Sequence, residues 1–133
     1  MSAGNLDKAN ESVEAAATIT PDDPTVFFQL GLLKYNNNDN EGAIEALEYA
    51  VKLNSSYSNA RYFLGLAYER IERISDAIRQ FEEIEKYNPD NAEVKSVLSN
   101  LRAGRKPFAD AALEQRPEER PVLPIDERNE EAV

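Results

Sequence analysis

The sequence contains no cysteine and no histidine. Without cysteine the chain has no disulfide, no thiolate nucleophile and no cysteine metal ligand. Without histidine it lacks the usual general base near neutral pH and the commonest ligand of transition metals. It also has no glycine-rich phosphate-binding loop. We therefore predict that the chain is not an enzyme, binds no metal and needs no cofactor.

Long hydrophobic runs and an excess of positive charge are missing too. No apolar run approaches the roughly 18 residues of a membrane-spanning helix, and residues 1–17 lack the basic segment and apolar core of a signal peptide. Lys and Arg number 15 against 25 Asp and Glu, so the net charge of −10 repels nucleic-acid phosphates and anionic lipid. We expect a soluble, cytoplasmic segment that neither binds nucleic acid nor inserts into a membrane.

What the sequence does contain is a repeat of 34 residues. Shifted by this distance, "LGLLKYNNNDNEGAI" (30–44) aligns with "LGLAYERIERISDAI" (64–78). Each unit, 24–57 and 58–91, carries two runs of apolar residues spaced by three and four, with a polar break between them. This spacing is typical of two amphipathic helices. Each unit is therefore predicted to be a helical hairpin, which becomes stable by stacking on its neighbours.

Partial units extend the pattern at both ends. Residues 4–23 align with the second helix of a unit, and residues 92–103 align with a first helix. The prediction is six helices, near 5–18, 24–36, 40–53, 58–71, 75–87 and 91–103. Because the first of these would lack its hairpin partner, we expect the chain to be the C-terminal part of a larger protein. The alternative is that this helix is a solvating cap.

The repeat unit resembles the tetratricopeptide (TPR) repeat in its length and in its small and large positions. The matching residues are Phe27, Leu30, Gly31, Ala43, Leu47 and Ala50, then Leu64, Gly65, Tyr68, Ala77, Phe81 and Pro89. The sequence departs from the family's pattern at Lys34, Ser55 and Arg61. The resemblance covers 5–103 and implies an all-α fold, a TPR-type right-handed α-solenoid of antiparallel hairpins. The predicted solenoid comprises a half repeat, two full repeats and a half repeat. After it, residues 104–133 are predicted to form a proline-rich, acidic, mostly disordered tail.

Two glycines in the predicted helices support this fold on physical grounds. Gly31 and Gly65 lie in mid-helix, where glycine costs about 0.5–1 kcal/mol relative to alanine. A cost that recurs at the repeat distance indicates that two helices approach closely there. We predict Ala43 and Ala77 at the facing positions.

The resemblance implies a scaffold for protein–protein interaction. In the family the first helices of the hairpins line a concave groove that holds a peptide or a partner helix. Carried over by position, the groove residues are Thr25, Phe28, Leu32, Tyr35, Asn36, Asn59, Tyr62, Leu66, Glu69, Arg70, Glu93, Ser96 and Asn100. One TPR subtype grips a C-terminal carboxylate with basic and asparagine residues. Phe28 and Leu32 stand at corresponding positions here, so we expect a short hydrophobic or amphipathic segment instead.

Four apolar groove residues, Phe28, Leu32, Tyr62 and Leu66, lie off the stripe that packs the hairpins, and we expect them to face solvent. Exposed aromatic residues in a concavity are reasonable binding anchors. The alternative is that Phe28 and Tyr62 pack against each other between repeats.

The run "KYNNNDNEG" (34–42) offers a cluster of side-chain oxygens but is predicted to be the turn between two helices. The second repeat has "YERIERISD" at the aligned position, with no such cluster. Asn38 is expected to adopt a left-handed backbone conformation, and Asp39 or Asn40 to cap the next helix. Only Tyr35 and Asn36 are then left for the edge of the groove.

The tail leaves further alternatives open. "RPVLPID" (120–126) is held extended by its prolines and is either a docking motif, an occupant of the groove of a neighbouring copy, or part of a plain solvated tail. A competing function is self-association through the unfinished N-terminal end. The repeats followed by "NLRAGR" and a proline-rich acidic end also resemble the C-termini of some bacterial membrane proteins of the polysaccharide-ligase type.

Overall fold

The computed structural model of the protein describes residues 22–109 and 123–125. Within these ranges the chain forms five α-helices and no β-strand: α1 Pro24–Asn36, α2 Asn40–Leu53, α3 Ser58–Arg70, α4 Ile74–Tyr87 and α5 Ala92–Arg102. Each confirms a predicted helix, and no end differs by more than one residue. The predicted helix at 5–18 lies outside the described residues.

Three of the helices begin with a side chain that caps a free backbone amide. Asp23 accepts from the Thr25 N–H at 2.9 Å at the start of α1. Asp39 accepts from the Gly42 N–H at 3.0 Å at the start of α2, which settles the predicted choice between Asp39 and Asn40. Asn91 accepts from the Val94 N–H at 3.0 Å at the start of α5. Such caps satisfy amides that have no partner within the helix.

The helices α1, α3 and α5 end in the same left-handed turn. Asn38, Glu72 and Gly104 have φ angles of 63°, 64° and 77°. In each turn the next N–H reaches back five residues to a helix carbonyl, at 2.8 to 2.9 Å: Asp39 to Lys34, Arg73 to Tyr68, and Arg105 to Asn100. This bonding pattern closes a helix end with a left-handed residue. The predicted conformation of Asn38 is thereby confirmed.

The helices pair in chain order, α1 with α2 and α3 with α4, while α2 packs on α3 and α4 on α5. The two glycines mark the close approach within each hairpin, as predicted. A Cβ on Gly31 would lie 2.5 Å from Cγ of Leu47, and one on Gly65 would lie 2.5 Å from Cε2 of Phe81. Leu47 and Phe81 therefore face the two glycines most closely. Of the two predicted facing residues, Ala43 approaches Gly31 with its backbone oxygen, 3.5 Å from the Cβ position.

Aromatic rings and one arginine join the two hairpins to each other. The Phe63 ring of α3 contacts the rings of Phe28 and Tyr35 of α1, with centroids 6.2 and 5.5 Å apart. Arg70, at the other end of α3, lies 3.5 Å above the Tyr35 ring and donates to the Tyr35 carbonyl at 2.9 Å. These contacts hold α1 and α3 side by side.

Candidate peptide-binding surface

The surface predicted from the family pattern lies on α1, α3 and α5, the first helices of successive units. Its apolar members are not exposed as expected. Phe28, Tyr62 and Leu66 are only 4 %, 0 % and 2 % exposed, and Leu32 is half-buried. The expectation that these four side chains face solvent is therefore wrong for three of them and only partly met by the fourth.

Ring packing explains this burial. Phe28 contacts the rings of Tyr57 and Phe63, and Tyr62 contacts the rings of Phe63 and Phe81 at centroid distances of 5.4 and 5.5 Å. Phe28 therefore packs between α1 and α3, whereas the rings that contact Tyr62 belong to α3 itself and to α4. The alternative that Phe28 and Tyr62 pack against each other between repeats is met only indirectly, because Phe63 contacts both rings and lies between them.

The polar members of the predicted groove divide by exposure. Thr25 and Asn36 are exposed, Glu69, Arg70, Glu93 and Ser96 are half-buried, and Tyr35, Asn59 and Asn100 are buried. The Tyr62 hydroxyl donates to the Glu93 carboxylate, which joins α3 to α5 on this surface. Among the predicted residues, the structure brings Tyr35 together with Arg70 and Tyr62 together with Glu93, and several others make contacts within the fold.

The side chain of Asn100, a predicted groove residue, makes hydrogen bonds within the fold. Its side-chain N–H donates to the Pro107 carbonyl at 3.0 Å, and its side-chain oxygen accepts from Arg105 Nε at 3.1 Å. Both bonds hold the turn that follows α5. In that turn Pro107 is buried and Phe108 packs against the core.

Asn59 differs, because its side chain binds the backbone of a distant segment. Its N–H donates to the Ile125 carbonyl at 3.0 Å, and its oxygen accepts from the Ile125 N–H at 3.0 Å. The two residues are 66 positions apart. Asn59 is 1 % exposed, so its amide lies in a site that is closed while Ile125 occupies it.

Ile125 is itself 3 % exposed and belongs to the continuous buried cluster that contains Tyr62 and Leu66. Leu123, two residues earlier, is 48 % exposed, and Pro124 is half-buried. We call residues 123–125 the LPI segment. At Ile125 the structure departs from the sequence expectation of a plain solvated tail.

Ile125 was missing from the residues predicted for the groove. The available signal was a β-branched apolar residue directly after a proline in an otherwise polar tail. This signal marked the segment as a docking candidate, but it did not indicate Asn59 as the partner.

Other kinds of site find no support in the described ranges. Among residues 22–109 and 123–125 no group of three or more acidic side chains is arranged to hold a metal ion. No helix in the same part of the chain has the length and apolar character to cross a bilayer.

The family model described as "Tetratricopeptide repeat" matches residues 34–101, just over half of the chain. The match begins inside α1, after Gly31, and ends inside α5, so it covers the Gly65–Phe81 contact and the junction between the two hairpins. No curated protein matches the sequence. The five helices, the recurring left-handed turns and the family match agree, and the chain belongs to the tetratricopeptide repeat family.

Proposed function

We propose that the protein is an interaction scaffold that binds an extended peptide segment of a partner on the surface formed by α3 and α5, with Asn59 holding the backbone of that segment. TPR repeats are typically non-catalytic scaffolds that bind proteins, and membership of the family makes the chain a protein–protein interaction module at this coarse level. The finer proposal rests on one observation, the pair of hydrogen bonds between Asn59 and the backbone of Ile125.

An asparagine in this position can bind many sequences. The N–H and the C=O of one residue in an extended chain point to the same side, and a side-chain amide offers an acceptor and a donor that match them. The contact involves only backbone atoms of the bound segment, so it sets position and direction. Selectivity then falls to the side chain of the bound residue, which is buried among apolar neighbours in the case of Ile125.

The magnitudes favour a weak to moderate interaction. Two hydrogen bonds contribute about 1–3 kcal/mol net, and burial of one isoleucine side chain contributes about 1.5–3 kcal/mol before ordering costs. Such a contact alone corresponds to a dissociation constant of roughly millimolar size, so a partner needs further contacts to bind more tightly. We propose the half-buried Glu93 and Ser96 of α5 as sites of these further contacts.

Peptide display tests the proposal without knowledge of the partner. Random peptides on phage are panned on the full chain, both wild type and Ile125→Asp, the second of which disfavours burial of residue 125. Enriched peptides are synthesised, and Asn59→Asp is introduced into the chain, wild type or Ile125→Asp, on which each peptide was enriched. Calorimetry then compares the affinity of each peptide for that chain with and without Asn59→Asp. Aspartate has the shape of asparagine but cannot donate to a carbonyl, so we expect at least a tenfold loss.

Gln29→Ala is the matched control, because it removes an exposed amide from α1 and should leave the affinity unchanged. Far-UV circular dichroism confirms that each variant is folded. The proposal fails if no peptide is enriched on either form, or if Asn59→Asp binds the enriched peptides as well as its parent does.

A further inference from the structure

We infer that the LPI segment is a built-in competitor: the protein's own C-terminal region occupies the peptide site at Asn59, and a partner segment must displace it. This inference rests on the proposed function and adds its regulation. It also indicates the class of partner, an extended segment with a branched aliphatic residue that takes the place of Ile125.

The contact between Ile125 and Asn59 resembles that of a bound peptide ligand and is not an incidental surface contact. Both backbone polar atoms of Ile125 are bonded to one side chain at 3.0 Å, and the isoleucine side chain is buried. By contrast, Leu123 is 48 % exposed. Ile125 is therefore the residue by which the surface holds the segment.

Proline prepares the segment for this role. Pro124 disfavours the helical conformation for Leu123 and so keeps the approach to the site extended. It also has no N–H, so no donor at position 124 needs a partner on the surface. Because the segment has fewer conformations to lose, it binds at a lower entropic cost.

The length of the connection allows this contact within one chain. Thirteen residues, 110–122, separate Ala109 from Leu123. A chain of this length reaches at most about 45 Å, whereas a domain of 100 residues has a radius of gyration of about 13 Å. A segment joined through a short tether faces its site at a concentration in the millimolar range.

This concentration is enough to regulate a weak site. If the free segment binds with a dissociation constant between about 1 mM, the value for the Ile125 contact alone, and about 0.1 mM, the tethered form fills the site between about one-half and nine-tenths of the time. The apparent dissociation constant of a partner then rises about two- to tenfold. A partner with contacts beyond the Ile125 site overcomes this, whereas a weak one is excluded.

Binding of a labelled peptide to the full-length chain tests the inference. The probe is residues 121–128, PVLPIDER, with a fluorescent label, and its anisotropy is titrated with wild type, Ile125→Asp and Leu123→Asp. Leu123→Asp is the matched control, since it adds the same charge two residues away at an exposed position. We expect Ile125→Asp to bind the peptide about two- to tenfold more tightly than wild type, and Leu123→Asp to bind like wild type.

Adding Asn59→Asp to Ile125→Asp should abolish the tighter binding of the labelled peptide. Wild type and Ile125→Asp could bind the probe with equal affinity and both lose this binding with Asn59→Asp. That result would overturn the inference that the LPI segment competes, while the proposed binding function would stand. Absence of probe binding to Ile125→Asp, although panned peptides bind it, would also overturn the inference, because the segment would not resemble a ligand. If neither the probe nor any panned peptide binds, the proposed function fails as well.

Discussion

At the scale of single residues, the position of Glu72 is the least expected feature of the fold. Its φ of 64° lies in the left-handed region, where the equivalent turns have Asn38 and Gly104. Asparagine and glycine tolerate this conformation, whereas a glutamate pays about 1 kcal/mol or more for it. The turn keeps its bonding pattern, since the Arg73 N–H still reaches the Tyr68 carbonyl at 2.9 Å.

Replacing Glu72 with glycine should therefore stabilise the protein. The relief of backbone strain exceeds the added freedom of the unfolded chain, and we expect Glu72→Gly to raise the free energy of unfolding by about 0.5–1 kcal/mol. Urea denaturation followed by circular dichroism measures this. Asn38→Gly, at the equivalent turn, should give a smaller gain, and a gain at Asn38 that equals or exceeds the one at Glu72 would contradict the argument.

A second residue-scale prediction concerns Tyr68, whose hydroxyl donates to the Glu48 carboxylate. Burial, followed by this hydrogen bond and the negative charge of Glu48, raises the pKa of Tyr68 well above its ordinary value of 10.0. Because the pKa is raised in the folded state, the contribution of Tyr68 to stability is fully present below the pKa of the unfolded chain, about 10. This contribution is lost as the pH rises above that value.

We expect the stability advantage of wild type over Tyr68→Phe to be constant from about pH 7 to 9 and to shrink above about pH 10. Urea titrations at several pH values measure it, and Tyr49→Phe, which changes a half-buried tyrosine, serves as the control. A difference that grows above pH 10 would show that the sign is wrong.

At the scale of elements, the spacing within each hairpin depends on a glycine facing a large side chain. Gly31 faces Leu47 where α1 meets α2, and Gly65 faces Phe81 where α3 meets α4. Both pairs recur at the repeat distance, so the repeat is visible in the packing as well as in the sequence. The division of the chain between a helical domain to residue 103 and a tail from 104 stays a prediction.

Adding a methyl group at Gly65 should push α3 and α4 apart. The gain in helix propensity is about 1 kcal/mol, but overpacking costs about 1–3 kcal/mol, so we expect Gly65→Ala to lower the free energy of unfolding by about 1 kcal/mol. In the background of Phe81→Leu the same substitution should cost less, which a double-mutant cycle measures. Zero coupling between the two positions would contradict the proposed contact.

At the scale of the whole molecule, the proposed peptide site at Asn59 and the LPI segment that contacts it belong to the same chain. The competitor inference requires that this occupation takes place within one molecule. The alternatives raised by the sequence, occupation of a neighbouring copy and stacking through the N-terminal end, would instead join two molecules. The resemblance to bacterial membrane proteins of the polysaccharide-ligase type, and the expectation that the chain belongs to a larger protein, stay predictions.

We expect the full chain to sediment as a monomer of 14.9 kDa at all concentrations from micromolar to several hundred micromolar. The reason is that a tether of 13 residues gives an effective concentration of about 1 mM, above that of any second copy in this range. Analytical ultracentrifugation measures the mass. A dimer that forms with concentration and disappears in Ile125→Asp would place the contact between molecules.

The positions of the helices could be predicted from the sequence because their signals are local. Apolar spacing, Asp39 as a cap, the left-handed Asn38 and the glycines all act within one or two turns, and the 34-residue repeat allowed each signal to be checked twice. The candidate site was predicted less well. The role of Asn59 in the groove stays a prediction. The exposure of Phe28 and Tyr62 was predicted wrongly, because burial depends on how closely helices pack in the folded protein.

By itself, then, the sequence determined the order and ends of five helices, the hairpin units and the family. Only the tertiary structure decided that Phe63 fills the space between α1 and α3, and that Asn59 is bonded to Ile125. The physical reason is the distance along the chain. Helix periodicity is set by neighbours three and four residues apart, whereas a contact across 66 residues leaves no periodic trace and exists only once the fold has brought its two ends together.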